Sequence, residues 1–168
     1  YEQLPKHMIK KVKNPNYGKT HYFKLPGRFL LCGSSGSGKT NSMLNILQKL
    51  GDVFHHLVIC VKSINEPLYK YLLEKIPEEQ VQVIEDDVVD IKQFEDKKWK
   101  DKSIAVIYDD LVTEKHLHHR ITQAYIRGRK LNISMFFLSQ SYHQCPKTIR
   151  LNCQYIILKK IGSKKDLR

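Results

Sequence analysis

Three short stretches of this sequence carry residue types that suit phosphate chemistry. The first, Gly33-Ser34-Ser35-Gly36-Ser37-Gly38-Lys39-Thr40, fits the G-x-x-x-x-G-K-[ST] spacing at every fixed position. Its glycines let successive backbone N–H groups turn inward around a β-phosphate, where side chains would obstruct them. A helix beginning near Lys39 adds its positive end. Lys39 would neutralise β- and γ-oxygens, and the Thr40 hydroxyl would ligate Mg²⁺. The second stretch, Ile104-Ala105-Val106-Ile107-Tyr108-Asp109-Asp110, ends an apolar run in two carboxylates. In an open parallel sheet the carboxyl ends of strands face the ligand crevice. Asp109 is therefore placed to hold Mg²⁺ through its water shell, and Asp110 to orient or deprotonate an attacking water. The alternative is a strand ending in solvated acids, weakened by the loop upstream. The third stretch, Met135 to Ser141, is another apolar run ending in polar groups, Ser139 and Gln140. If its strand lies between the other two, the Gln140 amide reaches the γ-phosphate and the water.

Arg127, Arg129 and Lys130 stand between a helix pattern and this third run. Their spacing leaves two readings open. One is cations favoured at a helix C-terminus; the other is a guanidinium that reaches a neighbour's γ-phosphate in a ring.

The elements that must position these groups follow from hydrophobic periodicity. Strands are expected at Arg28–Gly33, Leu57–Val61, Val81–Glu85, Ile104–Tyr108, Ile133–Leu138 and Tyr155–Leu158. Helices are expected at Lys39–Leu50, Pro67–Lys75 with Pro67 in its first turn, Val89–Trp99, and Glu114–Arg127 with Gly128 as the stop. Continuous apolar strands alternating with helices predict an α/β fold, a mostly parallel sheet with helices on both faces. Residues 1–27, with three prolines, two glycines and scattered lysines, read as a basic, irregular lead-in to an ATPase-type domain over 28–168. The chain opens without Met and stops amid charges, and is read as a fragment.

The formal charge of +12 is unevenly distributed: +6 over residues 1–30, −4 over 31–119 and +10 over 120–168. Such a field suits attraction of a nucleic-acid backbone, and a solubilising surface is the alternative reading. Lys159-Lys160 and Lys164-Lys165 are candidates for phosphate contacts. No apolar run approaches the roughly 18 residues of a membrane-spanning helix. Cys32, Cys60, Cys145 and Cys153 lack metal or disulfide spacing, which predicts a reducing intracellular compartment. The His55-His56 and His116-x-His118-His119 groups read as surface histidines. Trp99 is expected to bury its ring beside the Asp109 strand.

The runs Phe29–Asn41, Ile104–Leu111 and Tyr125–Lys160, in this order, resemble the genome-packaging ATPases of large eukaryotic DNA viruses. These form the poxvirus-type branch of the FtsK/HerA superfamily of P-loop NTPases, with relatives in virophages and Polinton-like elements. The resemblance implies a RecA-like sheet of order 5-1-4-3-2 with an added strand near Val81–Glu85. It implies ATP held by Gly33 through Asn41, Mg²⁺ at Thr40 and Asp109, Asp110 as the catalytic acid and Gln140 as sensor. It also implies that Arg129, eleven residues before Gln140, acts in trans, with Arg127 the alternative. Most of the superfamily carries Glu where this chain has Asp110; the packaging branch commonly shows Asp-Asp. The implied activity is an ATPase that assembles as a homo-oligomeric ring and drives double-stranded DNA into a capsid, in the host cytoplasm or the virion. A helicase of the same superfamily, a nucleoside or polynucleotide kinase, and a non-enzymatic nucleotide-bound scaffold are the rivals.

Overall fold

The computed structural model describes residues 13–111 and 113–161. Among them, the apolar runs become six strands: β1 (Arg28–Cys32), β2 (His56–Val61), β3 (Val81–Glu85), β4 (Ile104–Asp109), β5 (Ile133–Ser139) and β6 (Tyr155–Leu158). They form one sheet of order β3-β2-β4-β5-β1-β6, and every neighbouring pair is parallel. With β3 counted as the added strand, the rest read 5-1-4-3-2, the order the resemblance implied. β3 lies at the edge beyond β2, leaving the five-stranded core uninterrupted.

Helices α1 (Lys39–Leu50) and α2 (Pro67–Lys75) cover one face; α3 (His118–Arg127) and α4 (Lys147–Asn152) cover the other. Side chains alternate accordingly. Phe29 and Leu31 of β1 pack with Met43, Leu50 and Tyr69, whereas Leu30 and Cys32 pack with Ile121, Tyr125 and Ile149. All of β4 and β5 is buried. Each fully buried Leu, Ile or Phe there is worth about 1.5–3 kcal/mol, so the two strands that carry the polar tips are the most firmly held.

Two expected helices differ. Residues Val89–Trp99 form no α-helix but two 3₁₀ turns, Ile91–Glu95 and Lys97–Trp99. The Asp90 and Asp96 side chains accept from the backbone N–H of Lys92 and Lys98, each at 3.0 Å, and restart the chain twice. The helix expected from Glu114 opens as a 3₁₀ turn and becomes α-helical only at His118. α3 ends at Arg127 with Gly128 at its C-cap, as expected, but Gly128 is not left-handed: its φ is −58°, and the chain runs on as a 3₁₀ turn to Leu131. Reversal falls instead to Asn132, at φ 60° and ψ 35°, whose side chain donates to the Lys102 carbonyl. Gly128 is needed for closeness, because a Cβ there would collide with Cε of buried Met135.

Trp99 packs beside the Asp109 strand as expected, half-buried against the cluster that contains Ile104, Val106 and Tyr108 of β4. Its ring packs on His56 and Phe94 near the starts of β2 and β4, the end of the sheet away from Asp109. His55, His116 and His119 are exposed, while His56 is half-buried. The described part of the lead-in is irregular but specifically packed: Asn16 and Thr20 donate to carbonyls at the C-terminus of α1. Residues 1–12 and Lys164-Lys165 lie outside the described residues.

Candidate active site

Strand register brings the three polar stretches together. Cys32, the last residue of β1, sits opposite Ser139, and Asp109 opposite Leu138. Because β5 lies between β1 and β4, the glycine-rich loop, the acid pair and Gln140 emerge side by side at the carboxyl edge. They surround a cavity of about 350 Å³ lined by Ser35, Gly36, Gly38, Lys39, Thr40, Asn41, Glu66, Leu68, Asp109, Asp110, Leu138 and Gln140.

The loop is fixed from both sides. Gly33 N–H donates to the Ser139 carbonyl at 3.1 Å, and Ser34 N–H and Oγ both donate to the Lys160 carbonyl, at 2.9 and 3.0 Å. Lys159 and Lys160 therefore stand beside the loop, with the Lys159 backbone N–H bonded to Cys32 O. Gly36 and Gly38 adopt φ of 70° and 83°, the left-handed turn that leads the chain into α1. No side chain caps α1, which leaves its first N–H groups open to an anion. Lys39 Nζ donates to the Gly33 and Ser34 carbonyls at 2.9 and 3.2 Å. An ammonium has three donors, so one remains for a phosphate oxygen. Gly33, Ser34 and Ser37 shape the loop without lining the cavity; the Ser37 hydroxyl is buried and without a hydrogen-bond partner.

The Thr40 hydroxyl lies 3.3 Å from Asp109 Oδ2. These are hard oxygen donors at the floor of a polar cavity, a set that fits Mg²⁺. Burial pushes the Asp109 carboxyl up to about 6; the Tyr69 hydrogen bond and Lys39 oppose the rise, and Glu66 and Asp110 add to it. At neutral pH the group is ionised at a cost that a bound cation would relieve. Gln140 Nε2 donates to Asp110 Oδ1 at 3.0 Å, and Asp110 itself stands at φ 56°. The predicted acid and sensor are thus joined directly.

Arg127 and Arg129 do not enter this cavity. Both are exposed, and Arg129 lies in the turn before β5 begins, whereas Gln140 follows its end. Seven residues of strand, roughly 20 Å at 3.3 Å per residue, separate them. Arg127 instead lines a cleft with His119, Arg120 and Asp90.

Two residues of the site were not found from sequence. Glu66, just before α2, lines the cavity, and Tyr69 of α2 donates its hydroxyl to Asp109 Oδ2 at 2.6 Å. The available signal was position: Asn65-Glu66-Pro67 follows the tip of β2, and β2 neighbours β4.

A model of the family described as Poxvirus A32 protein matches residues 15–167. No sequence among the curated proteins matches this one. Several solved structures are similar in fold. ATPases 2 and 3 of EssC from Geobacillus thermodenitrificans align with TM-score 0.64 at 14% identity, covering 84% of this chain and 33% of that one. The cytoplasmic domain of the Type VII secretion ATPase EccC of Thermomonospora curvata gives 0.63 at 14%, covering 82% and 20%. The genome packaging NTPase B204 of Sulfolobus turreted icosahedral virus 2, in complex with ATP-γS, gives 0.56 at 15%, covering 86% and 80%. The chain spans a third or less of those EssC and EccC chains. At these identities the likeness establishes the fold alone, a RecA-like P-loop NTPase fold.

Proposed function

We propose, on the premise that this chain belongs to the Poxvirus A32 protein family, that it is the ATP-hydrolysing motor domain of a machine that moves double-stranded DNA into a viral capsid. The observation that carries the reading is the convergence of Lys39, Thr40, Asp109, Asp110 and Gln140 on one cavity. The fold shared with a genome packaging NTPase in complex with ATP-γS supports it.

In this reading the loop amides and the start of α1 bind the β-phosphate, and Lys39 bridges β- and γ-oxygens. Thr40 and Asp109 would hold Mg²⁺, which supplies charge neutralisation on the phosphate oxygens. Asp110 accepts the proton of the attacking water as its oxygen lines up with the γ-phosphorus. Gln140 holds the Asp110 carboxylate and donates its second amide hydrogen towards the water or the γ-phosphate. Arg129, remote from its own cavity, stabilises γ-phosphate charge in an adjacent copy of a ring. Basic segments at both ends of the sequence contact the DNA backbone.

The test is ATP turnover by the full chain with and without duplex DNA. The expected result is a steep rise on adding duplex, weakened by salt, with Lys39→Ala abolishing turnover in both conditions. Unchanged turnover with duplex at low salt overturns the DNA assignment. Phosphate transfer to an added nucleoside or polynucleotide end assigns a kinase instead. Strand separation without movement on intact duplex assigns a helicase. Arg129→Ala should lose DNA-stimulated turnover while keeping nucleotide affinity; retention of both removes the trans role.

A further inference from the structure

Tyr69 has a hydroxyl placed as no packing requirement explains. The residue is 1% exposed on α2, its ring lies in the apolar layer with Met43, Leu50 and Ile107, and its only polar atom points at the metal carboxylate. The bond to Asp109 Oδ2, at 2.6 Å, is shorter than the 3.3 Å from Thr40 to the same oxygen. Among the described residues Asp109 Oδ1 receives no hydrogen bond, so one carboxylate oxygen is tied and the other is left to the cavity. A carboxylate pinned at one oxygen cannot swing about its Cβ–Cγ bond, and its second oxygen keeps a fixed direction.

We propose that Tyr69 is a positioning residue for divalent-cation binding, orienting Asp109 so that the Mg²⁺–nucleotide complex meets a preset oxygen. It also ties the cation site to α2, whose N-terminal flank presents Glu66 to the same cavity. The proposal rests on the nucleotide-site reading above.

Tyr69→Phe removes the hydroxyl and keeps the ring. Affinity of the full chain for ADP is measured with EDTA and across a Mg²⁺ titration, alongside ATP turnover at each Mg²⁺ concentration. The expected result is unchanged metal-free ADP affinity, a Mg²⁺ requirement raised about 10-fold or more, as for other outer-shell partners of metal ligands, and turnover recovered at high Mg²⁺. Excess cation does not repair a packing defect, so that recovery separates positioning from structure. An unchanged Mg²⁺ requirement in Tyr69→Phe, with Asp109→Asn still abolishing Mg²⁺-dependent binding, overturns the role of Tyr69 and spares the site. Wild-type binding that ignores Mg²⁺ overturns both. If the Phe variant no longer binds metal-free ADP, Tyr69→Leu is read by the same criteria. Failure of both variants to bind metal-free ADP assigns Tyr69 to the fold and ends the proposal.

Discussion

Replacing Asp109 by Asn should make the protein more stable and inactive at once. Asp109 is 7% exposed, and burial raises its carboxyl from an ordinary value of 3.8 to about 6. The folded state therefore holds the proton more tightly than the unfolded chain does. The contribution of Asp109 to stability is therefore greatest below pH 3.8, falls as pH rises through the interval up to about 6, and above it carries the full cost of a buried carboxylate. Each tenfold change in proton affinity is worth about 1.4 kcal/mol, which puts that cost near 3 kcal/mol; water entering through the cavity lowers it to about 2. Asn keeps an acceptor for the Tyr69 and Thr40 hydroxyls and carries no charge. Urea denaturation of both proteins, without metal or nucleotide, should show Asp109→Asn more stable by about 2–3 kcal/mol at pH 7.5. The gap should shrink as pH falls from 6 towards 4, because the wild-type carboxyl becomes neutral and other titrating groups cancel in the difference. ATP turnover of the variant should be lost at every pH. A variant no more stable than wild type at pH 7.5, or a gap that does not narrow with acid, refutes the electrostatic account.

Three further outcomes follow from particular contacts. Gln140→Ala removes the 3.0 Å bond that holds Asp110 and should lower kcat roughly 100-fold, within the range for a misplaced acid–base group, with ADP affinity by calorimetry little changed. Gly128→Ala drives a methyl into Met135 and should cost about 1–3 kcal/mol in urea denaturation; combined with Met135→Ala the loss should be less than additive, and full additivity would mean the two residues do not touch. Asn16→Ala deletes the bonds to the Lys49 and Leu50 carbonyls at the end of α1 and should cost about 1 kcal/mol, with nucleotide affinity unchanged because Lys39 lies at the opposite end of that helix.

What could be read from the sequence was whatever is written on a single strand tip. The loop, the acid pair and Gln140 each follow an apolar run, and parallel pairing carries all three to one edge whatever the helices do. What could not be read depends on which of several equivalent residues the packing selects. Tyr69 and Tyr71 are both aromatic residues on α2, yet one is 1% exposed and bonded to Asp109 while the other is 58% exposed with Lys75 over its ring. Helical spacing puts Tyr69 on the apolar face with Leu72, Leu73 and Ile76, but it does not say that the hydroxyl at that position meets Asp109. Between Val89 and Trp99 the apolar spacing suits a helix, but Asp90 and Asp96 offer the backbone nearer partners and break it into turns. Gly128 shows the right residue type read for the wrong reason: the missing side chain admits Met135 and does not reverse the chain.

The eleven residues from Arg129 to Gln140 acquire a physical meaning from this geometry. In sequence the spacing is a number attached to a resemblance. In the fold it is the length of β5 with a short flank at each end, so it places Arg129 and Gln140 at opposite ends of one buried strand. No side-chain movement spans roughly 20 Å, so a phosphate role for Arg129 requires a second copy of the chain. A mixing experiment follows. Chains with Lys39→Ala and chains with Arg129→Ala, each inactive alone, should regain part of the DNA-stimulated turnover when assembled together, since some interfaces then pair an intact loop with an intact arginine. Recovery at every mixing ratio no greater than the sum of the separate proteins would place Arg129 outside the reaction.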